Sequence, residues 1–227
     1  TAAWQLRDLD VVVLEADECG LGPSGRNGGF VHGYWSYLPR LRESFGDEAA
    51  LAVAHVADRI VPGIRDFCER HDADVWLREA GMLRVSAAPA QDDAVGDEVE
   101  AAHELGAGEE AVLLEGDALA ARISSPVFRK GVFMRDGATI QPARLVRALR
   151  RAVIASARVH EHSRATRIDD RRVETEHGLV RAREIVVATN AAAAGWQPLS
   201  RKLTVFGSYV VLTEPVPELL EQINWTG

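Results

Sequence analysis

Val11-Val12-Val13-Leu14-Glu15-Ala16 and, shortly after it, Cys19-Gly20-Leu21-Gly22-Pro23-Ser24-Gly25-Arg26-Asn27-Gly28-Gly29 decide how this chain is read. The first run is short, continuous and β-branched, as expected of a parallel strand covered on both faces. The second is dense in backbone-permissive residues, so the chain there must adopt positive φ or pass very close to something.

Glu15 stands where an apolar strand ends. In a dinucleotide-binding βαβ unit an acid at that place accepts from both ribose hydroxyls, while a glycine-rich turn and a helix N-terminus receive the pyrophosphate. An acid after an apolar strand is also common at surface turns. Ser24 to Gly29 adds a hydroxyl, a cation, an amide and several unshielded N–H groups. This set suits a diphosphate, although a bare glycine-rich loop is not specific for one.

Outward from this stretch the elements alternate. Residues 1–9 fit the end of a helix. Leu38 to His71 carries helical apolar spacing, with a kink or split expected at Pro62-Gly63. Trp76 to Ser86 reads as strands around a turn near Gly81, then come a polar acidic helix over 91–106 and a short helix over 116–122. Gly131 to Met134 is another strand, ending at the turn Asp136-Gly137. Pro142 suits the first turn of a helix whose apolar face is Leu145, Val146, Leu149, Ala152 and Val153. Val159–His162 and Ala165–Ile168 read as strand segments, and Arg172–Thr175 with Gly178–Arg181 as a hairpin. Glu184 to Asn190 is a second buried β run, and Leu203 to Thr213 a strand of another sheet ended by Pro215 and Pro217. Alternation of buried strands with helices predicts an α/β doubly wound domain carrying an inserted strand-and-helix region.

Composition narrows the function classes. The chain has 227 residues, 47% hydrophobic and 26% charged, within the range of an ordinary soluble globular protein. A formal charge of −8 argues against a nucleic-acid surface. No stretch approaches the roughly 20 apolar residues of a membrane-spanning helix. Thr1 to Leu6 lacks the basic flank and apolar run of a secretory signal, so the cytoplasm is the expected compartment. Cys19 and Cys68 have no partner at metal-ligand or redox spacing and read as free thiols. His160 and His162 would share one strand face, but no third ligand is in reach by sequence, and no metal is expected. The acidic residues between Asp92 and Glu110 read as a solvated helix face. Tyr34, Trp35 and Tyr37 suit either a substrate pocket or aromatic packing.

Four segments in order resemble the FAD-dependent oxidoreductases of the D-amino-acid oxidase type, nearest to their glycine/sarcosine oxidase-like and γ-glutamylputrescine oxidase-like members. These are Val11–Ala16 with Gly22–Phe30, Asp136–Val146 running on to Ala165–Ile168, Ile185–Ala191, and Tyr209–Pro215. The resemblance implies a Rossmann-like FAD-binding domain with an inserted β-rich (α+β) substrate domain. Its expected bounds are 1–76 and 136–197 for FAD, and 77–135 and 198–227 for substrate. It further implies that Glu15, with Ala16, holds the ribose and that Ser24, Gly25, Arg26, Asn27, Gly28 and Gly29 run beside the pyrophosphate and flavin. Ala165 would meet the adenine through its backbone, and Ala188, Thr189 and Asn190 would pass under the cofactor.

The implied reaction is oxidation of the C–N bond of a small amine or amino acid, with hydride transfer to the flavin. No residue of this chain is assigned as catalytic. His32 follows the glycine segment, but its offset does not match relatives that attach flavin through histidine. The family's first strand and its Gly-x-Gly-x-x-Gly turn would precede Thr1, and further substrate-anchoring groups would follow Gly227. The chain is therefore expected to be a piece truncated at both ends that binds FAD poorly by itself. An FAD-linked hydroxy-acid or glycerol-phosphate dehydrogenase and a non-catalytic binding module are the alternatives.

Overall fold

The computed structural model describes residues 1–225 of the chain. In chain order the helices and strands are α1 (Ala2–Gln5), β1 (Val12–Leu14), β2 (Phe30–His32), α2 (Leu38–Phe45), α3 (Asp47–Ala57) and α4 (Ile60–Arg70). Next come β3 (Met82–Ser86), α5 (Asp92–Glu104), β4 (Val112–Glu115), α6 (Gly116–Ala120), β5 (Lys130–Met134) and β6 (Gly137–Thr139). The last are α7 (Pro142–Val153), β7 (Arg158–His160), β8 (Ala165–Asp169), β9 (Arg172–Thr175), β10 (Gly178–Arg181) and α8 (Pro217–Gln222). The mixed helix-and-sheet character expected of an α/β chain is present.

Contacts divide the chain into two compact units, one of Thr1–Gly28 with Pro142–Val211 and the other of Gly29–Gln141 with Leu212–Gly227. These geometric bounds fall elsewhere than the expected functional ones, because residues 29–76 share a core with the elements that follow them.

In the first unit β1 pairs in parallel with β7, Val13 opposite Val159. Parallel neighbours need a crossover, and α7 immediately precedes β7. Its apolar positions bury Ala148 and Val153, and the helix packs against α1 and the tight 3-10 turn Pro23–Gly25. β8, β9 and β10 form an antiparallel meander with order β10-β9-β8. The predicted hairpin lies in it, with Gly178 opposite Thr175.

In the second unit β3-β5-β4 is an antiparallel sheet and β2 pairs antiparallel with β6. The core gathers Trp35, Leu38, Ala50, Ala54, Val95, Ala101, Ala102, Val132 and Met134. Full burial of residues such as Leu38, Val132 and Met134 stabilises by about 1.5–3 kcal/mol each.

Several expectations are corrected. Glu184 to Asn190 forms no strand, and Val186 is 63% exposed. Leu203 to Thr213 is likewise unpaired, with Phe206, Tyr209, Val211 and Leu212 exposed. A strand exists only when a neighbour takes its N–H and C=O groups, and no strand among the described residues lies alongside either run. The long helical stretch breaks between Ala57 and Ile60, and Pro62 sits in the first turn of α4, where it costs little. β7 stops at His160, and His162 is in the left-handed region with φ 52, so the two histidines do not share a strand face. Before Gly81 only an isolated bridge forms, Arg78 to Thr139. The acidic face of α5 is not wholly solvated: Glu98 lies buried with Val95, Ala101 and Ala102 on the side facing the core.

Candidate functional site

The carboxyl end of β1 is built by hydrogen bonds across the parallel pair. Glu15 N–H donates to the His160 carbonyl at 2.9 Å, and Ser163 N–H donates to the Glu15 carbonyl at 2.7 Å. These two bonds hang the turn that leads into Ala165 directly from the residue that ends β1. The half-buried Glu15 carboxylate accepts the Asp17 N–H at 3.1 Å through Oε1. An ionised carboxylate offers about four lone-pair sites, so most of its accepting capacity is open to a ligand.

The glycine segment follows and packs back on its own unit. Cys19 N–H donates to Glu161 Oε1 at 2.9 Å, and Arg150 Nε donates to the same oxygen at 2.8 Å. The Arg150 guanidinium and then the Cys19 N–H hold the Glu161 carboxyl down to about 2. Gly20 has φ +99 and packs against Val146 of α7. A side chain on Gly25 would put its Cβ 2.0 Å from the Gly20 carbonyl oxygen, so two limbs of the loop touch where only hydrogen fits. Asn27 Nδ2 donates to the carbonyls of Pro23 and Ser24, both at 3.1 Å, closing the turn around Pro23–Gly25. Ser24, Arg26, Asn27 and Gly28 are exposed. The segment is thus a rigidified loop presenting polar groups outward.

The structure brings Glu15, Ala16 and the turn before Ala165 together, and fixes the loop from Cys19 to Gly28 on α7 in the same unit. Gly29, the first residue of the second unit, is buried and its carbonyl accepts the Ile140 N–H at 2.9 Å. Ala188 and Thr189 are exposed in the unpaired run, and Asn190 opens a 3-10 turn with φ 49. No strand carries them, so the structure does not join them to the Glu15 cluster.

These groups match the needs of a dinucleotide. A half-buried carboxylate at a parallel strand's end accepts hydroxyls, and an exposed glycine loop carrying Ser24 and Arg26 receives anionic oxygens. Glu15, Ser24 to Gly28 and the Ala165 backbone are the donors and acceptors that fit. Glu161, Arg150, Cys19 and Ser163 complete the arrangement, and no local pattern announces them, because each acts through a contact distant in sequence.

The other candidates resolve into packing. His32 Nδ1 lies 2.8 Å from the Gly33 carbonyl, and its ring stacks with Tyr37 at 6.2 Å. Trp35 is 1% exposed and its indole N–H donates to Asp58 Oδ1 at 2.7 Å, so it belongs to the core. Burial raises the thiols of Cys19 and Cys68 above their ordinary range, which disfavours the thiolate. Among the described residues no group of three or more His, Cys, Asp and Glu could hold a metal. A cleft of about 720 Å³ in the first unit, lined by Asp169, Arg172, Glu184 and Trp196, does not include Glu15. Nor does a second cleft of about 470 Å³, lined by Arg42, Asp97 and Glu104 of the second unit. The Glu15 cluster is recognised by its chemistry and its place on the sheet, not by concavity.

Comparisons with known proteins identify the family. The model of the FAD dependent oxidoreductase family matches residues 1–226. γ-Glutamylputrescine oxidoreductase of Escherichia coli is 28% identical over 217 residues, covering 92% of this chain and 50% of that protein. A probable oxidoreductase, OrdL, of Rhizobium meliloti is 27% identical over 199 residues, covering 84% and 46%. The chain therefore spans about half the length of the curated relatives it matches. Among solved structures, glycine oxidase from Geobacillus kaustophilus superposes with a TM-score of 0.67 at 19% identity, over 85% of this chain and 52% of that one. L-proline dehydrogenase from P. horikoshii does so with 0.65 at 18%, over 89% and 53%. With a parallel strand ending in Glu15, a glycine segment behind it and a family match along almost its whole length, the chain belongs to the FAD-dependent oxidoreductase family.

Proposed function

We propose that this chain supplies the FAD-holding part of an enzyme that oxidises the C–N bond of a small amine or amino acid. The observation that carries the reading is the tie between Glu15 and the turn before Ala165, in a chain matched by the family from residue 1 to 226. Glu15, beside Ala16, would accept the ribose hydroxyls. Ser24, Gly25, Arg26, Asn27, Gly28 and Gly29 would run beside the pyrophosphate and flavin, with the Ser24 hydroxyl and the Arg26 cation turned to anionic oxygens. Ala165 would meet the adenine through its backbone, its small side chain leaving room. Ala188, Thr189 and Asn190, exposed at the end of the run 184–190, would pass under the cofactor. The functional division we propose assigns 1–76 and 136–197 to the FAD domain, and 77–135 and 198–227 to the substrate domain.

When bound, FAD supplies the hydride acceptor, so that the C–H beside the substrate nitrogen is oxidised and the resulting imine is open to hydrolysis. The protein's part is to place and shield; the residues named above would hold the adenosine, the pyrophosphate and the flavin, and none is assigned to the reacting carbon. γ-Glutamylputrescine oxidoreductase and glycine oxidase, by their names, act on amino compounds, which supports an amine or amino-acid substrate here. The free thiols of Cys19 and Cys68 fit a reducing compartment, and the cytoplasm is the one we propose. No helix among the described residues is long and apolar enough to cross a membrane.

The test is on the complete gene product containing these residues. Gel-filtered protein is expected to carry flavin absorbance, and a panel of amines and amino acids to yield peroxide or reduce an artificial acceptor. Turnover confined to hydroxy acids or glycerol phosphate would replace the substrate class, and protein that retains no flavin would remove the assignment altogether.

A further inference from the structure

Resting on the cofactor reading above, we propose that Glu161 is a positioning residue for FAD, holding the chain between Glu15 and the glycine segment in its binding geometry. One Glu161 oxygen, Oε1, accepts both the Cys19 N–H at 2.9 Å and Arg150 Nε at 2.8 Å. Three parts of the first unit thereby converge: the start of the glycine segment, the last turn of α7, and the residue that follows β7. Cys19 and Glu161 lie 142 positions apart, so the bond closes a long loop rather than decorating a local turn. On either side of Glu161 the backbone already grips Glu15, His160 through its carbonyl and Ser163 through its N–H. The five-residue chain Glu15–Cys19 is therefore pinned at both ends to the same short turn, Glu15 by backbone and Cys19 by the Glu161 carboxylate.

The pin has a consequence for the cofactor. Glu15 and the N–H groups beyond Gly20 must be held at a set separation to contact ribose and pyrophosphate together, since a loop free to drift loses binding through ordering entropy. The Glu161 side chain is 19% exposed and Arg150 36%, so the pair is shielded from solvent more than a surface ion pair. Glu161 is already engaged within the protein: Oε1 accepts from Cys19 and Arg150, and Oε2 from the second arm of the guanidinium. It acts through Glu15 and the loop. Gln can accept the Cys19 N–H through its amide oxygen but surrenders the charge toward Arg150; Ala does neither.

The experiment measures FAD dissociation constants for the complete apo gene product by flavin fluorescence, with Glu15→Ala, Glu161→Ala, Glu161→Gln and the double variant Glu15→Ala/Glu161→Ala. Glu15→Ala and Glu161→Ala are each expected to weaken FAD about tenfold, the scale of a hydrogen bond to a charged group. Glu161→Gln is expected to recover most of that loss, and the double variant to bind no worse than about twofold below Glu15→Ala. This last result separates a role through Glu15 from a general loosening, which would add its penalty in full. Equal affinity of Glu161→Ala and wild type, or full additivity in the double variant, would overturn the proposal. Should Glu161→Ala not fold, Glu161→Met, whose side chain of similar length accepts from neither Cys19 nor Arg150 with any strength, carries the same decision in the two Glu15 backgrounds. If wild type binds no FAD, or Glu15→Ala binds it as wild type does, the cofactor reading itself fails instead.

Discussion

Ser163 donates its N–H to the Glu15 carbonyl at 2.7 Å, joining the end of the first parallel strand to the turn before Ala165. This contact lies beyond the paired register Val12–Leu14 with Arg158–His160 and extends it around the corner. Ser163→Pro removes the donor while leaving the carboxylate of Glu15 in place. It is expected to weaken FAD binding by the complete protein about tenfold, as loss of one well-formed, half-buried hydrogen bond does. Isothermal titration of the apo protein with FAD reads the effect, and unchanged affinity would show that this turn does not shape the site.

The contact between Gly25 and Gly20 makes a steric prediction. Gly25→Ala puts a methyl group 2.0 Å from the Gly20 oxygen, and Gly20 is itself constrained at φ +99 against Val146. Overpacking of this kind costs about 1–3 kcal/mol. Gly22→Ala is the control, because nothing lies within 4 Å of its added Cβ and its φ is −78. Urea midpoints at constant m-value are expected to fall for Gly25→Ala and to stay within about 0.5 kcal/mol of wild type for Gly22→Ala. Equal midpoints for both variants would contradict the observed contact.

Asp136 predicts a pH dependence. Burial, and then the neighbouring charge of Asp58, raise its carboxyl above the ordinary range, while the Gly33 N–H at 2.7 Å pulls the other way. The folded state therefore holds this proton to higher pH than the unfolded chain, and stability is lost as pH rises through that window. Asp136→Asn keeps an oxygen for Gly33 and cannot ionise. Its stability relative to wild type is expected to increase as pH rises above the free aspartate value of about 4. A stability difference that does not change with pH, measured by denaturant titration, would refute this.

Glu98 gives the stronger case. Burial is the largest cause pushing its carboxyl up to about 7 from 4.5, with the Arg84 guanidinium opposing and Asp97 adding to the rise. Between those values the folded state binds the extra proton, so stability contributed by protonated Glu98 is complete at acid pH and gone above about 7. The span corresponds to a change on the order of 3 kcal/mol. Glu98→Gln should flatten the fall in unfolding temperature between pH 5 and 8 that wild type is expected to show, as read by calorimetry. Parallel profiles for the two proteins would mean that Glu98 ionises in the fold as it does in the open chain.

Much of the secondary structure was legible because its cause is local. Pro142 and the apolar recurrence from Leu145 to Val153 made α7 readable, since helix hydrogen bonds close within four residues. The β9–β10 hairpin and the run ending at Glu15 were readable for a similar reason: a turn or a β-branched series is written in neighbouring residues. Glu184–Asn190 and Leu203–Thr213 had equally persuasive apolar patterns and form no strand. Their hydrogen bonds depend on another chain segment, and composition cannot supply one.

By itself the sequence determined that an acid ends an apolar strand, that a glycine-rich segment follows, and that later motifs recur in the order of the FAD-dependent oxidoreductases. Only the tertiary structure decided that Glu161 reaches Cys19 across 142 positions, that Ser163 hangs from Glu15, and that Glu98 turns inward from an acidic helix. The physical reason is range. Propensity and spacing act over a helical turn or a strand, whereas a carboxylate's partners are set by which distant backbone and side-chain groups packing brings within hydrogen-bonding distance.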